Sequence, residues 1–370
     1  MSKHSKASQS GLSLVEMMIS ITLGLIILAG LTSILVSNSR ARNEVEQANR
    51  QIENGRYALQ MLTDDLRLAG YLAEFDPYTV ADPTTMPAPC DEALTDLVNA
   101  LPLHVQGLNN VTSATPLACL SDVKTGTDVL IIRRASTCVA GTANCAPFDN
   151  TMPHFQASRC SAFPGVELNV IGATAAALNG NHFEIDRNIA NLTLRNRATN
   201  CAAPPYANIY RYRTHIYFIA NNDKDGDGIP TLKRWELGAG AANPVPLVEG
   251  IENFQIEYGI DNAVASGVVG DGVPDNIFSD PSSLTLDAAT PSTIAAWRQV
   301  VSARIFLLAR NTEKTAGFVD DKTVSMNSDG IQTDPCSGLS GSQLTDCKSY
   351  KRHAFQSMVR LNNPASRRIP

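Results

Sequence analysis

From Met17 to Val36 the chain runs for roughly twenty residues without a charge, and a single glutamate, Glu16, stands immediately before that run. At about 1.5 Å of rise per helical residue the run covers roughly 30 Å, one hydrocarbon thickness. Such a segment dictates a helix, because in lipid every backbone amide and carbonyl must be satisfied within the segment itself. Glu16 is then the anomaly. A carboxylate at membrane depth costs roughly 2–4 kcal/mol, so something must compensate it. The short leader before it carries Lys3 and Lys6 and no acid, which keeps residues 1–10 cytoplasmic and sends the rest of the chain outward. The apolar run is longer than a secretory h-region, and no small-residue cleavage site follows it. The plain alternative is an uncleaved signal anchor, which leaves Glu16 unexplained.

The remaining composition narrows the classes. With 370 residues, 44% hydrophobic and 18% charged, the chain can build a sizeable core. A net charge of −6 gives no footprint for nucleic acid. Eight cysteines, none in a CxxC and none grouped with histidine, downstream of a membrane segment, fit disulfides in an oxidising compartment. Proximity favours Cys336 with Cys347 and Cys138 with Cys145, leaving Cys90 with Cys119 and Cys160 with Cys201, although eight cysteines allow about a hundred connectivities. Enzyme signatures are absent: no GxGxxG, phosphate-binding loop, HExxH or GxSxG. The string SDVKTG (121–126) holds both an SxxK and a KTG. Both use the same lysine, Lys124, so they cannot face each other across a cleft. The six histidines are scattered, and His215 on a strand reads as structural.

Gly11-Leu12-Ser13-Leu14-Val15-Glu16, after a basic leader and before an unbroken apolar helix, resembles the processing signal of type IV pilins and pseudopilins. The resemblance implies cleavage between Gly11 and Leu12 by a prepilin peptidase, N-methylation of Leu12, and Glu16 as the family's glutamate. Leu12 stands where the family most often has phenylalanine. It also implies an answer to the anomaly. Cleavage exposes a positive amine at Leu12 that pairs poorly with Glu16 of its own chain once helices stack. A neighbouring subunit shifted by about one turn can bring its amine to that carboxylate, and two charges costly alone become tolerable together.

Past the membrane, Val45, Ala48, Ile52, Gly55, Leu59, Leu62, Leu66 and Ala69 recur at spacings of three and four, a stripe along one helix face ringed by charges. No proline interrupts residues 12–76, and Gly70 offers a C-cap. One helix is expected over about residues 12–69, about 85 Å long if straight. Small residues at Ala48, Gly55 and Ala69 suit a packed sheet better than a coiled-coil dimer. Residues 73–125 read as loops with short elements. Strands are expected at 128–133, in ANIYRYRTHIYFIAN with Tyr210, Tyr212, Thr214, Ile216 and Phe218 on one face, in ENFQIEYGI, at 300–310 and at 353–361. The fold class expected is α+β, pilin-like: a long N-terminal helix, transmembrane over about 12–36 and amphipathic over 37–70, packed on a C-terminal antiparallel β-sheet head. The domain boundaries expected are a leader at 1–11, the helix at 12–72 and the head at 73–370.

YFIANN…GIPTLKRWEL, PLVEGIENFQIEYGID, VVSARIFLLAR and KRHAFQSMVRLNN together resemble the PilW-type minor pilins. That resemblance implies a non-catalytic subunit in the bacterial inner membrane, head in the periplasm, and later at the pilus tip. Its implied partners are the prepilin peptidase, other minor pilins, the major pilin, the inner-membrane assembly platform and a large tip adhesin. Two rivals stay open: a minor pseudopilin of a type II secretion or competence filament, and an uncleaved, membrane-anchored calcium-binding periplasmic protein. Adhesion, twitching and DNA uptake are not separable from these residues. The calcium reading rests on NNDKDGDGIPTLKRWE. Asp223, Asp225 and Asp227 alternate before Gly228, the Ile229 carbonyl follows, and Glu236 would substitute for the closing glutamate where Arg234 stands. A turn between strands explains the same residues without a metal. A second stretch, GDGVPDN, offers Asp271 and Asp275.

Overall fold

The computed structural model describes residues 11, 13–77, 80–112, 117–160, 183–196, 201, 205–240, 244–261, 270–280 and 294–367. The chain divides into two compact units, Met1–Arg50 and Gln51–Pro370. Helix α1, Leu14–Leu68, crosses that division. The second unit therefore takes in α1 from Gln51 together with the head, because the last turns of α1 are built into its core.

In the first unit α1 has a mean hydropathy of 2.4 over its best 18-residue window, and none of that window is buried. It is long and apolar enough to cross a membrane. Three of the hydroxyls within it, those of Ser20, Thr22 and Thr32, are satisfied by their own helix. Ser20 Oγ donates to the Glu16 carbonyl at 2.7 Å, Thr22 to Met18 and Ile19, and Thr32 to Leu28 and Ala29. Back-bonding of this kind keeps these donors from facing lipid unpaired.

The second unit contains two antiparallel sheets. The larger orders β1 (Val105–Leu108), β2 (Val129–Val139), β5 (Ile209–Ala220), β3 (His154–Ala157) and β4 (Phe183–Asp186). One edge of β5 pairs with β2. Its other edge is shared: Ile209–Arg211 pair with β3, and His215–Ala220 with β6 (Thr231–Glu236), which carries β7 (Val245–Glu249). The smaller sheet orders β13 (Arg352–Arg360), β10 (Val300–Arg310), β8 (Ile251–Ile260) and β9 (Asn276–Phe278). Short helices α2 (Leu94–Ala100), α3 (Ile294–Arg298), α4 (Gly341–Lys348) and α5 (Asn362–Ser366), a 3-10 turn at Ile189–Asn191, and a hairpin of β11 (Val324–Ser325) with β12 (Gln332–Thr333), complete the described elements.

Two apolar layers explain why β2 and β5 are buried on both faces. Leu130, Ile132, Tyr217 and Ile219 join Ala58, Leu62 and Leu66 of α1 and the inner face of the smaller sheet. Val129, Ile131, Ile216 and Phe218 pack on Leu72, Phe75, Leu97 and Leu101. The face of β5 read from alternation is real, but its opposite face is equally buried. The run DVLII accordingly reads as continuous hydrophobe rather than alternation. On α1 the buried residues are Gln51, Gly55, Ala58, Leu62, Asp65 and Leu66, while Ile52 and Leu59 are half-buried. The stripe is thus rotated from the one the apolar residues trace, and it takes in two polar side chains. Gln51 Nε2 donates to the carbonyls of Ala309 and Lys351, both at 2.8 Å, and so satisfies backbone at the end of the smaller sheet.

Gly55 is where this helix meets the Phe355 ring, which a Cβ would strike directly. Alanine at a mid-helix glycine normally gains about 1 kcal/mol. Here overpacking wins, and Gly55→Ala is expected to destabilise by about 1–3 kcal/mol. Thermal unfolding of the full chain in detergent reads the loss, and Phe355→Leu in the same background should recover part of it.

Candidate functional site

Leu12 and residues 1–10 lie outside the described residues, so the processing junction is visible only from Gly11 and Ser13. What the structure adds is a local partner for Glu16. The Ser13 amide donates to Glu16 Oε2 at 3.0 Å, and the Val15 amide donates to Ser13 Oγ at 3.3 Å. With α1 starting at Leu14, this is a reciprocal capping box, Ser13-x-x-Glu16, satisfying amides that a helix start leaves open. The carboxylate therefore folds back on its own chain, one residue beyond Leu12. The expectation that the Leu12 amine pairs poorly with Glu16 of its own chain concerns a residue outside the described ones. The S-x-x-E spacing was the available signal.

A second cluster of charge lies inside the head. Asp65 of α1 is 7% exposed and accepts three bonds: from Arg134 Nε at 2.7 Å, His215 Nδ1 at 2.6 Å and Tyr217 Oη at 2.8 Å. Across the ring, His215 Nε2 stands 3.7 Å from Glu236 Oε1, which Arg213 holds at 2.6 Å. Burial alone would raise both carboxyls. For Asp65, His215 and then Arg134 outweigh burial and hold it well below the usual carboxylate range. For Glu236, His215, Arg213 and Arg234 outweigh burial and bring it down to about 2. A depressed carboxylate contributes stability above its unfolded value and loses it as pH falls through its folded one. The window for Glu236 is about pH 4.5 to 2, worth on the order of 3 kcal/mol. The unfolding midpoint is expected to drop with acid across that window, and Glu236→Gln should flatten the drop. Asp128 acts oppositely. Burial raises its carboxyl to about 7 despite amide bonds from Asn110 and Ile256, so it removes stability as pH rises from about 4 to 7. Calorimetry across pH 2–8 reads both limbs.

This geometry separates Glu236 from the acidic loop that the calcium reading joined it to. Glu236 is carried away along β6, roughly 15 Å from the loop at about 3.3 Å per residue, and is committed to Arg213 and His215. Asp227 turns inward: Oδ1 accepts from the amides of Asp223 and Ile229, and Oδ2 from Lys224, at 2.9–3.1 Å. The Ile229 carbonyl accepts from Thr231 Oγ1, and Asp225 is exposed. Asp271 likewise caps the Val273 amide, two residues on. Among the described residues no three His, Cys, Asp or Glu side chains converge to hold a metal ion. The loop is a turn braced by its own carboxylate.

The cysteines are joined as Cys90–Cys119, Cys138–Cys145, Cys160–Cys201 and Cys336–Cys347, with Cα separations of 5.4–5.9 Å, and none is free. Cys336–Cys347 staples the segment between β10 and β13, which is also tied down by Arg352. That side chain grips Glu252 at 2.6 and 3.1 Å and reaches Asp320 at 3.5 Å.

Residues 6–32 match the prokaryotic N-terminal methylation motif, and residues 216–363 match the family described as type IV pilus-assembly protein W. The chain is PilW-like. Its matched region runs from β5 through the acidic loop and the whole smaller sheet into α5, while residues 73–205 fall outside both matches. The methylation motif and the apolar helix point to membrane anchoring at the N-terminus of this PilW-like chain. No curated protein matches the chain. Among solved structures it is similar to a type IV-like pilin from Thermus thermophilus, at 12% identity over 66% of this chain and 80% of that one. The TM-score of 0.24 is too low for that likeness to bear on fold or function.

Proposed function

We propose that this PilW-like chain is a minor pilin: a non-catalytic subunit that primes assembly of a type IV pilus and stays at or near its tip. The observation that carries the reading is the joining, in one chain, of a prepilin-type N-terminus with a PilW region. Gly11 and Leu12 form the processing junction, the apolar part of α1 holds the subunit in the inner membrane with its head in the periplasm, and Glu16 receives a neighbour's N-terminal amine in the fibre. The partners are the prepilin peptidase, the other minor and major pilins, the inner-membrane platform and a large tip adhesin. Disulfides suit a head that works outside the reducing cytoplasm.

Two measurements test this. Mass spectrometry of protein recovered from cells should find N-methylated Leu12 as the first residue, and an intact Met1 would refute processing. Deletion of the gene should strip cells of surface pili, restored by the wild-type copy. Normal piliation with lost protein export would assign the subunit to a secretion filament instead.

A further inference from the structure

Among the described residues, the edge strands of the two larger sheets are β1, β4, β7, β9 and β13. Four of them are blunt. β1 and β4 have 4 residues each and β9 has 3, while β7 has 5 and includes Pro246. β13 has 9 residues and pairs with β10 without a register shift. Between Arg352 and Arg360 it holds no lysine, arginine, carboxylate or proline. Short length, charge, proline and bulges are the devices that keep an edge from pairing with another chain, and β13 uses none of them. We propose that its free edge receives an extended segment of another polypeptide as one more antiparallel strand, with apolar side chains toward α1 and a carboxylate against Arg360. The proposal goes beyond the assembly role and does not rest on it.

The hydrogen-bond phase of the strand fixes which groups are on offer. The Leu361 amide donates to the Val301 carbonyl at 2.8 Å, and the Asn311 amide to the Lys351 carbonyl at 3.1 Å. Counting inward by twos from both ends, His353, Phe355, Ser357 and Val359 are the residues that exchange bonds with β10. The amides and carbonyls of Ala354, Gln356 and Met358 therefore point along the free edge. All three side chains are exposed, Met358 by 53%.

The other face supplies an apolar shelf. Asn54 of α1 reaches the Glu249 carbonyl just before β8, Gln51 reaches the end of β10, and Gly55 meets Phe355 on β13. At about 100° per residue this walk across the sheet carries Ile52 and Leu59 beyond Phe355, on the side of the free edge. Both are half-buried. A strand added to β13 would lay the residues opposite Phe355 and Ser357 against them. Charge selects the occupant. Arg360 is exposed at one end of the edge, whereas Arg352 at the other is buried on Glu252. A second copy fits poorly: antiparallel pairing of β13 with itself about Gln356 sets Arg360 opposite Arg352 of the copy, which offers it no counter-charge. An acid near the N-terminal end of a foreign strand does.

The test is made on the full chain in cells. A photoreactive benzophenone side chain replaces Gln356 and, as a control, the exposed Val319, and mass spectrometry of the adducts reads the linked segment. The 356 probe should join one segment of another protein, with an Asp or Glu at the end facing Arg360, and the 319 probe should not. Met358→Pro removes an outward amide without touching β10, and Met358→Lys keeps that amide but adds a charge to the edge. Each should cut the adduct about tenfold or more with the unfolding midpoint unchanged. Arg360→Glu should do the same, and exchange of the partner's acid for lysine should restore it. No adduct at 356 above the control, an adduct only to a second copy, or a yield that survives both Met358 variants overturns the proposal. An N-methylated Leu12 found alongside any of these would leave the assembly role standing.

Discussion

Replacing Glu16 by glutamine is expected to leave processing at Gly11 intact while cutting incorporation into filaments roughly tenfold or more. Two roles meet at this side chain. It caps the Ser13 amide within its own chain, and in the proposed fibre it neutralises the amine of an adjoining subunit. Glutamine at this position of a capping box still reaches back to the first amide, so the helix start survives. What glutamine lacks is the charge. In a membrane-depth interface the abandoned amine then stands uncompensated, the case in which removing one partner of a buried pair costs about 3–5 kcal/mol. Alanine removes both roles and cannot separate them. Immunoblots of sheared filaments against membrane fractions, with mass spectrometry of the N-terminus, give the readout. A glutamine variant incorporated like wild type would restrict Glu16 to its cap.

Asp65→Ala is expected to lower stability by about 3–5 kcal/mol, a fall in midpoint of roughly 5–15 °C. The carboxylate holds Arg134 from β2 and both His215 and Tyr217 from β5, so its loss strips two buried donors and one half-buried donor of their acceptor at once. Asp65→Asn keeps one oxygen and should fall between alanine and wild type. Because the partners act as a unit, Asp65→Ala combined with His215→Phe should cost less than the sum of the two. Near-UV circular dichroism of the full chain in detergent measures all four proteins. A shift under about 2 °C for Asp65→Ala would mean the network contributes little.

The elements with one strong local pattern were legible in the sequence. The uncharged run and the three-four spacing give α1 within two residues at each end, and the alternating runs give β5, β8, β10 and β13. Proximity along the chain favours Cys336–Cys347 and Cys138–Cys145, and the two pairings it leaves over are also present in the structure. What could not be read depends on partners distant in sequence. Asp65 looks like any helix-surface acid until β2 and β5 bring Arg134 and His215 to it from about 70 and 150 residues away. Its burial turns the packed face of α1 away from Ile52. β3, β4 and β6 are short, and their assignment comes from sharing the edges of β5 and of one another rather than from their own alternation. In the acidic loop the composition fits a cation loop, but the rise of β6 carries off Glu236, the residue expected to close it.

The stretch of α1 from Gln51 onward is fastened to the head by contacts strung along its length: Gln51 to two carbonyls, Asn54 to the Glu249 carbonyl at 3.1 Å, Asp65 to three side chains, and the Ala69 carbonyl to Asn363. Tension applied along the axis of residues 51–68 would load these fastenings together, in shear, instead of peeling them one after another. In the proposed fibre, a pull on this helix would then have to break the interior of the head in a single step before residues 51–68 came away.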